Sequence, residues 1–355
     1  MTRIYINRIA TAVPDYDVHK TFVSYAPNLL SSARDQKMFR ILTQRAQIDH
    51  RFSVLAPHPD AAQFDANDFY KPGNFPTTKV RMALYKKSAF PLARKALDQL
   101  NLADMKEKIT HIIVTTCTGF YAPGLDQDIM RYYGLNPSIE RTIIGFMGCQ
   151  AAVNAMKLTQ HIVRSDPTAQ VLIVNLELCT LHLQEADDID QIMSFLIFAD
   201  GCAASIVSAN PAGIEILSFY SGIMTDSQAQ ITWQIGDTGF DMILAREVPA
   251  TIANGIANYL PGILNGNAKE NIVHWAVHPG GRAILDAVQT GLHLQDSNLE
   301  TSRNILRQFG NMSSATLMFV LKDIMDKNPT PGLGCALAFG PGLTAENMLF
   351  QLGRD

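Results

Sequence analysis

The chain has 355 residues, enough at about 150 residues per domain for two domains or one duplicated unit. Its 29 basic and 33 acidic side chains leave a net charge of -4, which excludes broad electrostatic binding to nucleic acid or an anionic membrane, so any anionic ligand must meet a local basic patch. Charged residues are 17% of the chain against the roughly 25% usual for soluble domains, and hydrophobic residues are 47%, a balance that points to extra buried surface, most simply a subunit interface.

The opening segment MTRIYINRIATAVP has Arg8 inside its apolar pattern and runs into a Pro-Asp turn, unlike a signal peptide. No uncharged apolar run reaches the ~18 residues of a spanning helix, so a cytoplasmic protein with no stable membrane insertion is expected. A strand over 3–12 is followed by a helical segment over 20–48, with Lys37, Arg40 and either Gln44 or Arg45 near one face. That face is either simply solvated or a phosphate clamp. Residues 58–76, rich in Pro, Asp, Asn and Phe, read as an ordered loop, and 80–100 as a helix. A strand at 111–116, a turn at 119–124 and a helix at 126–133 come next.

Residues 140–166 hold the strongest local signal. The run 142–146 is apolar and β-branched at its start, whereas Val153, Met156, Leu158 and Ile162 recur at roughly helical spacing, so the period changes across Gly148-Cys149. A sulfur at such a corner lies near unpaired backbone N–H groups and the positive end of a helix dipole, both of which lower a thiol pKa. Cys149 is therefore either a nucleophile or a small residue filling a tight junction. The five cysteines, Cys117, Cys149, Cys179, Cys202 and Cys335, are far apart and form no CxxC pair, so neither a metal site nor a disulfide frame is expected.

Beyond this unit the sequence predicts a strand at 171–178, an acidic excursion at 185–190, a turn at Asp200-Gly201 and a strand at 202–208. The alternation suggests a mainly parallel sheet covered on both faces. The second half repeats the theme with strands at 214–223 and 272–277 and helices at 249–264, from Gly281, at 298–309 and at 313–327. Gly334-Cys335-Ala336 echoes Gly201-Cys202-Ala203, which together with the shared rhythm suggests duplication, with an active site where the halves meet. His278, before Pro279-Gly280-Gly281, sits at the C-terminal end of a strand, where open α/β sheets bind ligands. Asn311, after Gly310, is either a helix cap or a functional amide. The order Cys, His, Asn is shared with papain-like hydrolases, but the cysteine signature of those enzymes is missing.

With GFMGCQAA, SFLIFADGCAA, WAVHPGGRAILD, GNMSSAT and FGPGLTAE in this order and spacing, the sequence resembles the type III polyketide synthases, the chalcone synthase superfamily. The resemblance implies an α/β, thiolase-like fold with a duplicated five-layered αβαβα architecture, residues 1–210 carrying the catalytic cysteine and 211–355 the catalytic histidine and asparagine. It implies a homodimeric, CoA-dependent acyltransferase in which a Cys149 thiolate, ion-paired with His278, takes an acyl starter from CoA. Malonyl-CoA then loses carbon dioxide, and His278 and Asn311 form the oxyanion hole for its enolate. CoA thioesters are the substrates and no cofactor is implied.

By the same resemblance Phe198 is a gatekeeper between CoA tunnel and cavity, and Gly340, Pro341 and Gly342 form a loop of close backbone approach behind the cavity. Lys37, Arg40 and Arg45 become CoA-phosphate ligands, and Cys117 and Met242 become substrate-binding residues. Cys117 replaces the threonine, and Ala122 the methionine, of the plant enzymes, and the region 233–242 differs too. Small or altered side chains there open room for a fatty acyl-CoA starter, giving alkylpyrones, alkylresorcinols or related products. A thiolase would need a second cysteine followed directly by glycines, and Cys335 is followed by Ala336; an initiating ketoacyl-ACP synthase would carry Gln-Ala-Asn after its histidine. A catalytically dead acyl-binding subunit is the non-enzyme alternative, against which the intact triad speaks.

Overall fold

The computed structural model describes residues 2–60, 62–327 and 330–353. The first half runs Ile4–Ala12 (β1), Tyr16–Asp17 (β2), His19–Tyr25 (α1), Ala33–Ala46 (α2), Phe52–Ser53 (β3), Thr78–Gln99 (α3), His111–Thr116 (β4), Leu125–Tyr133 (α4), Glu140–Gly145 (β5), Ala151–Ser165 (α5), Gln170–Leu178 (β6), Ile189–Ile197 (α6) and Asp200–Ser208 (β7). The second runs Ile214–Ile223 (β8), Ile231–Gly236 (β9), Gly239–Leu244 (β10), Val248–Gly255 (α7), Leu260–Leu264 (α8), Ile272–Val277 (β11), Arg282–Leu292 (α9), Glu300–Phe309 (α10), Thr316–Asp326 (α11), Gly332–Gly340 (β12) and Thr344–Leu352 (β13).

Among the described residues nine strands join in the order β11-β12-β13-β8-β1-β7-β6-β4-β5. The sheet is mixed, and the expected parallel character holds only at β4–β5, β4–β6 and β11–β12. The remaining neighbours pair antiparallel. β1-β7-β6-β4 in one half matches β8-β13-β12-β11 in the other, in order and in sense. The three-residue echo noted in the sequence does not follow this symmetry: Cys202 lies in β7, whose counterpart is β13, while Cys335 lies in β12.

Side-chain alternation along the strands builds three apolar cores. Ile112 and Val114 of β4 face a core with Leu92, Ala93 and Ala96 of α3. Ile113 faces the opposite way, into a core with Val153 and Met156 of α5 and Leu317 and Val320 of α11. In the second half Ala336 and Ala338 of β12 join that same central core, whereas Cys335, Leu337 and Phe339 face Leu285 and Val288 of α9. Helices therefore form an outer, a central and an outer layer with sheet between, the five-layered duplicated architecture expected.

The segment 20–48 is two helices rather than one, because Pro27 and the extended Leu30 break it and Ser32 caps α2 through its side chain. Asp200 begins β7 instead of forming a turn. Its buried carboxylate accepts from Thr180 N (2.8 Å), Thr180 Oγ1 (2.7 Å) and Val54 N (2.9 Å), which satisfies it inside the sheet. Helix α6 and the hairpin β9–β10 were not expected, and both wall the site.

Candidate active site

After β5 the chain folds over itself, with Phe146 at φ 56° and Gly148 at φ 71°. A Cβ at Gly148 would fall 2.3 Å from Pro341 Cδ, so glycine is what lets this turn pass beneath the β12–β13 connection. Gly148-Cys149-Gln150 forms a single 3-10 turn leading into α5, which puts Cys149 at the start of the central helical layer. Gln150 is buried against Gly340, where a Cβ would lie 2.6 Å from the Gln150 amide carbon.

Asn311 enters from the second half, just before α11. Its Oδ1 accepts from Ser313 N at 2.8 Å, which turns Nδ2 toward Gly280 O at 3.4 Å and Cys149 Sγ at 4.0 Å. Asn311 is not the cap of the helix that follows, since Met312 is the N-cap of the intervening 3-10 turn and Ala315 that of α11; its Oδ1 instead holds the backbone of that turn, and both ends of its amide lie 4.0 Å from the sulfur. His278 follows β11 directly, with its N–H given to Leu337 O at 2.8 Å. Its imidazole is buried, and neither ring nitrogen has a hydrogen-bond partner among the described residues.

Burial pushes the Cys149 thiol up to about 11; hydrogen bonds from Ser313 and Asn311 pull the other way, and the nearby Glu177 charge adds to the rise. Burial alone drives His278 down to about 3. Taken singly, each of the two groups is held neutral by its burial. The helix-end donors are partly used elsewhere, since Gly148 N donates to Cys117 Sγ at 3.1 Å. Proton transfer from thiol to imidazole forms two charges that offset each other, so the pair is more accessible than either charge alone.

The three side chains open into one cavity with an apolar lining that includes Phe195, Phe198, Trp233, Met242 and Phe339. Cys117, Gly340 and Pro341 also line it. Gly342 is not among the lining residues, and no atom lies within 4 Å of where its Cβ would be; its need for glycine is the φ of 70°, not the expected close approach. A second, open groove on the outer side shares Leu244, Gly280 and Ile284 with the cavity. Arg45 lines that groove with Arg246 and Arg282, whereas Lys37 and Arg40 are exposed on α2 and are not among its lining residues.

Sequence reasoning passed over several residues. Glu177, fully buried in β6, accepts from Cys117 N (2.9 Å), Thr118 Oγ1 (2.8 Å) and Ser314 Oγ (2.6 Å), and burial lifts its pKa to about 7. Its signal was a lone carboxylate in the apolar run VLIVNLEL. Trp233 donates from Nε1 to Cys117 O at 2.7 Å, and His182 stacks on Phe240 while holding Phe240 N at 3.0 Å, which together pin the β9–β10 hairpin over the cavity. Arg282, the first residue after the Pro-Gly-Gly that follows His278, was visible as the N-terminal cation of α9.

Comparison with known families and structures gives a consistent match. The family model "Chalcone and stilbene synthases, N-terminal domain" matches residues 9–211, and the corresponding C-terminal domain model matches 215–352. The chain is 34% identical over 294 positions to the "Alpha-pyrone synthesis polyketide synthase-like Pks18" of Mycobacterium tuberculosis, covering 78% of this chain and 74% of that protein. Among solved structures it superposes on the C-terminal type III polyketide synthase domain of Steely1 from Dictyostelium with a TM-score of 0.90 at 24% identity, covering 99% of both chains. PKS-I of the brown alga Ectocarpus siliculosus matches with a TM-score of 0.86 at 28% identity and the same coverage.

Proposed function

Since this chain belongs to the chalcone and stilbene synthase family and is a type III polyketide synthase, we propose that it loads an acyl starter from CoA onto Cys149 and extends it with malonyl units at His278 and Asn311. The observation that carries this reading is the convergence of the Cys149 sulfur, the Asn311 amide donor and the unpartnered His278 nitrogens on one buried cavity. Decarboxylation supplies the carbon nucleophile, so the site has to stabilise an enolate rather than supply a strong base. An amide and a neutral imidazole suit that task, because a carboxylate in their place would repel the developing charge. The reading asks for no cofactor, since both substrates arrive as activated thioesters.

For the starter we propose a fatty acyl-CoA, and for the product an alkylpyrone or alkylresorcinol. The apolar lining supports it, as does the relative named for α-pyrone synthesis. Trp233 packs against the Cys117 backbone, and the cavity at about 70 Å³ is small beside the roughly 300–1,000 Å³ of ordinary small-molecule sites. A long chain therefore enters only if side chains such as Met242 and Leu244 swing aside. Incubation with malonyl-CoA and starters of graded length, read by mass spectrometry of the products, decides the matter. Products from long-chain starters support the proposal, and products from short or aromatic starters alone overturn it.

The CoA phosphates are assigned to Arg45 and Arg282 on the groove, with Lys37 and Arg40 further out on α2. A homodimer, with residues 1–210 and 211–355 as the two halves of each subunit, completes the proposal. Edge strand β5 exposes Ile143, and Met147 just after it and Phe120, stacked on Phe146, are exposed as well. An uncovered apolar edge of this kind calls for a partner.

A further inference from the structure

Helix α6 is the partition between groove and cavity: Met193, Ser194 and Ile197 line the groove, while Phe195 and Phe198 line the cavity. A helix C-terminus leaves carbonyls without intrahelical partners, and buried ones need donors from elsewhere. Arg51, only 2% exposed, supplies two of them, its Nη1 donating to Phe195 O at 2.8 Å and Phe198 O at 2.7 Å. Its Nε donates to His19 Nδ1 at 3.0 Å, and the guanidinium lies 4.7 Å from the centre of the Phe22 ring.

Of the two carbonyls between these, that of Ile197 is taken from the other side. Ile197 O accepts from Asn311 N at 2.7 Å, and Asn311 O accepts from Ala199 N at 2.9 Å. Gly310 makes the approach possible, since a Cβ there would lie 2.8 Å from Arg51 Cγ and 2.9 Å from Ile197 O. The guanidinium, the end of α6 and the backbone of Asn311 therefore form one block. Its two outputs are the Phe198 ring and the Asn311 amide. A buried cation is costly unless its hydrogen bonds are met; here Nη1 and Nε have partners and Nη2 has none among the described residues, so the favourable field of the helix C-terminus carries part of the compensation. Burial lowers Arg51 to about 9, so it remains a cation at neutral pH, and His19, held down to about 3 by burial, stays neutral as its acceptor.

We propose that Arg51 is a positioning residue for the condensation step, fixing Phe198 and Asn311 relative to each other at the end of α6. This rests on reading Asn311 as the donor to the malonyl-derived enolate. Cys149 is held by other elements, the turn after β5 and the Pro341 contact, so acyl loading depends on the block only through the 4.0 Å contact between the Asn311 amide and the sulfur. The ammonium of Arg51→Lys keeps charge and stem but cannot reproduce the planar fork that reaches two carbonyls and His19 at once.

The test uses the full-length enzyme, its fold checked by circular dichroism and thermal unfolding. Arg51→Lys is expected to lower kcat for condensation on the order of 10- to 100-fold, the cost of a small misplacement of reacting groups, while acyl loading of Cys149 by mass spectrometry changes little. In an Asn311→Ala background the same substitution is expected to have almost no further effect, because the group it positions is gone. Equal loss of loading and condensation, a full multiplicative loss in the Asn311→Ala background, wild-type condensation, or failure of Arg51→Lys to fold each overturns the proposal. The reading of the site fails separately, if Asn311→Ala alone condenses at the wild-type rate.

Discussion

In the first half β4 ends at Thr116 and Cys117 follows; in the second, its counterpart β11 ends at Val277 and His278 follows. The central helix of the first half begins just after Cys149, and that of the second begins a few residues after Asn311. All four residues line the same cavity. The symmetric scaffold thus offers two equivalent places per half, and the sequence has filled them with sulfur on one side and with nitrogen donors on the other. Each half, on the proposed mechanism, serves one substrate: the sulfur side holds the acyl chain and the nitrogen side stabilises the malonyl-derived enolate.

Removing the sulfur should give the largest effect. Cys149→Ala is expected to abolish the acyl-enzyme in intact-protein mass spectra and to cut condensation by at least about 10,000-fold, as loss of a covalent nucleophile does. Malonyl-CoA decarboxylation, which needs only the other half, should survive within roughly 10-fold. Loss of decarboxylation in parallel with acylation would break the division of labour. Asn311→Ala comes next: loading persists, and condensation falls ~100- to 1,000-fold, the usual cost of one oxyanion donor. A variant that loses loading as well would place Asn311 on both sides of the reaction.

These places differ in how legible they were. His278 and Asn311 sit beside chain punctuation, Pro279-Gly280-Gly281 and Gly310, and Cys149 sits where the apolar period changes, so their elements could be anticipated from sequence. The antiparallel half of the sheet was also open to inference, because only residues 341–343 separate β12 from β13 and so short a link cannot return a parallel strand. Helix α6 was harder, since its end, Ser194-Phe195-Leu196-Ile197-Phe198, is an apolar run with no visible helical period. The groove was least legible. It is assembled from side chains on α2, α6, α9 and the segment after β10, which no local pattern relates to one another.

The charge state of the sulfur side can be sharpened by titration. With the Cys149 thiol pushed up to about 11, the thiolate fraction should climb about tenfold per pH unit between pH 8 and 9 with no plateau, and alkylation by iodoacetamide should follow it. Between pH 6 and 8 the rise should be shallower. Glu177 ionises near 7, and its new negative charge opposes formation of the thiolate. Glu177→Gln removes that charge and should restore the full slope. A rate that is instead flat across pH 6 to 9 would mean that the thiolate–imidazolium pair already exists in the resting enzyme.

Cys117 should show the smallest effect, although it occupies the place equivalent to His278. Its thiol, raised well above the ordinary range by burial and by Glu177, is no rival to Cys149 as a nucleophile. What the sulfur does is accept the Gly148 N–H at 3.1 Å, one residue before the reactive cysteine. Cys117→Val removes that acceptor with little change in volume, and should lower stability by about 1 kcal/mol in a urea titration while leaving Cys149 loading within ~3-fold. Cys117→Ser, whose hydroxyl can still accept, should recover part of the loss. Were Cys117→Val instead to lower loading as severely as Cys149→Ala, the sulfur side would consist of two working thiols rather than one thiol and its support.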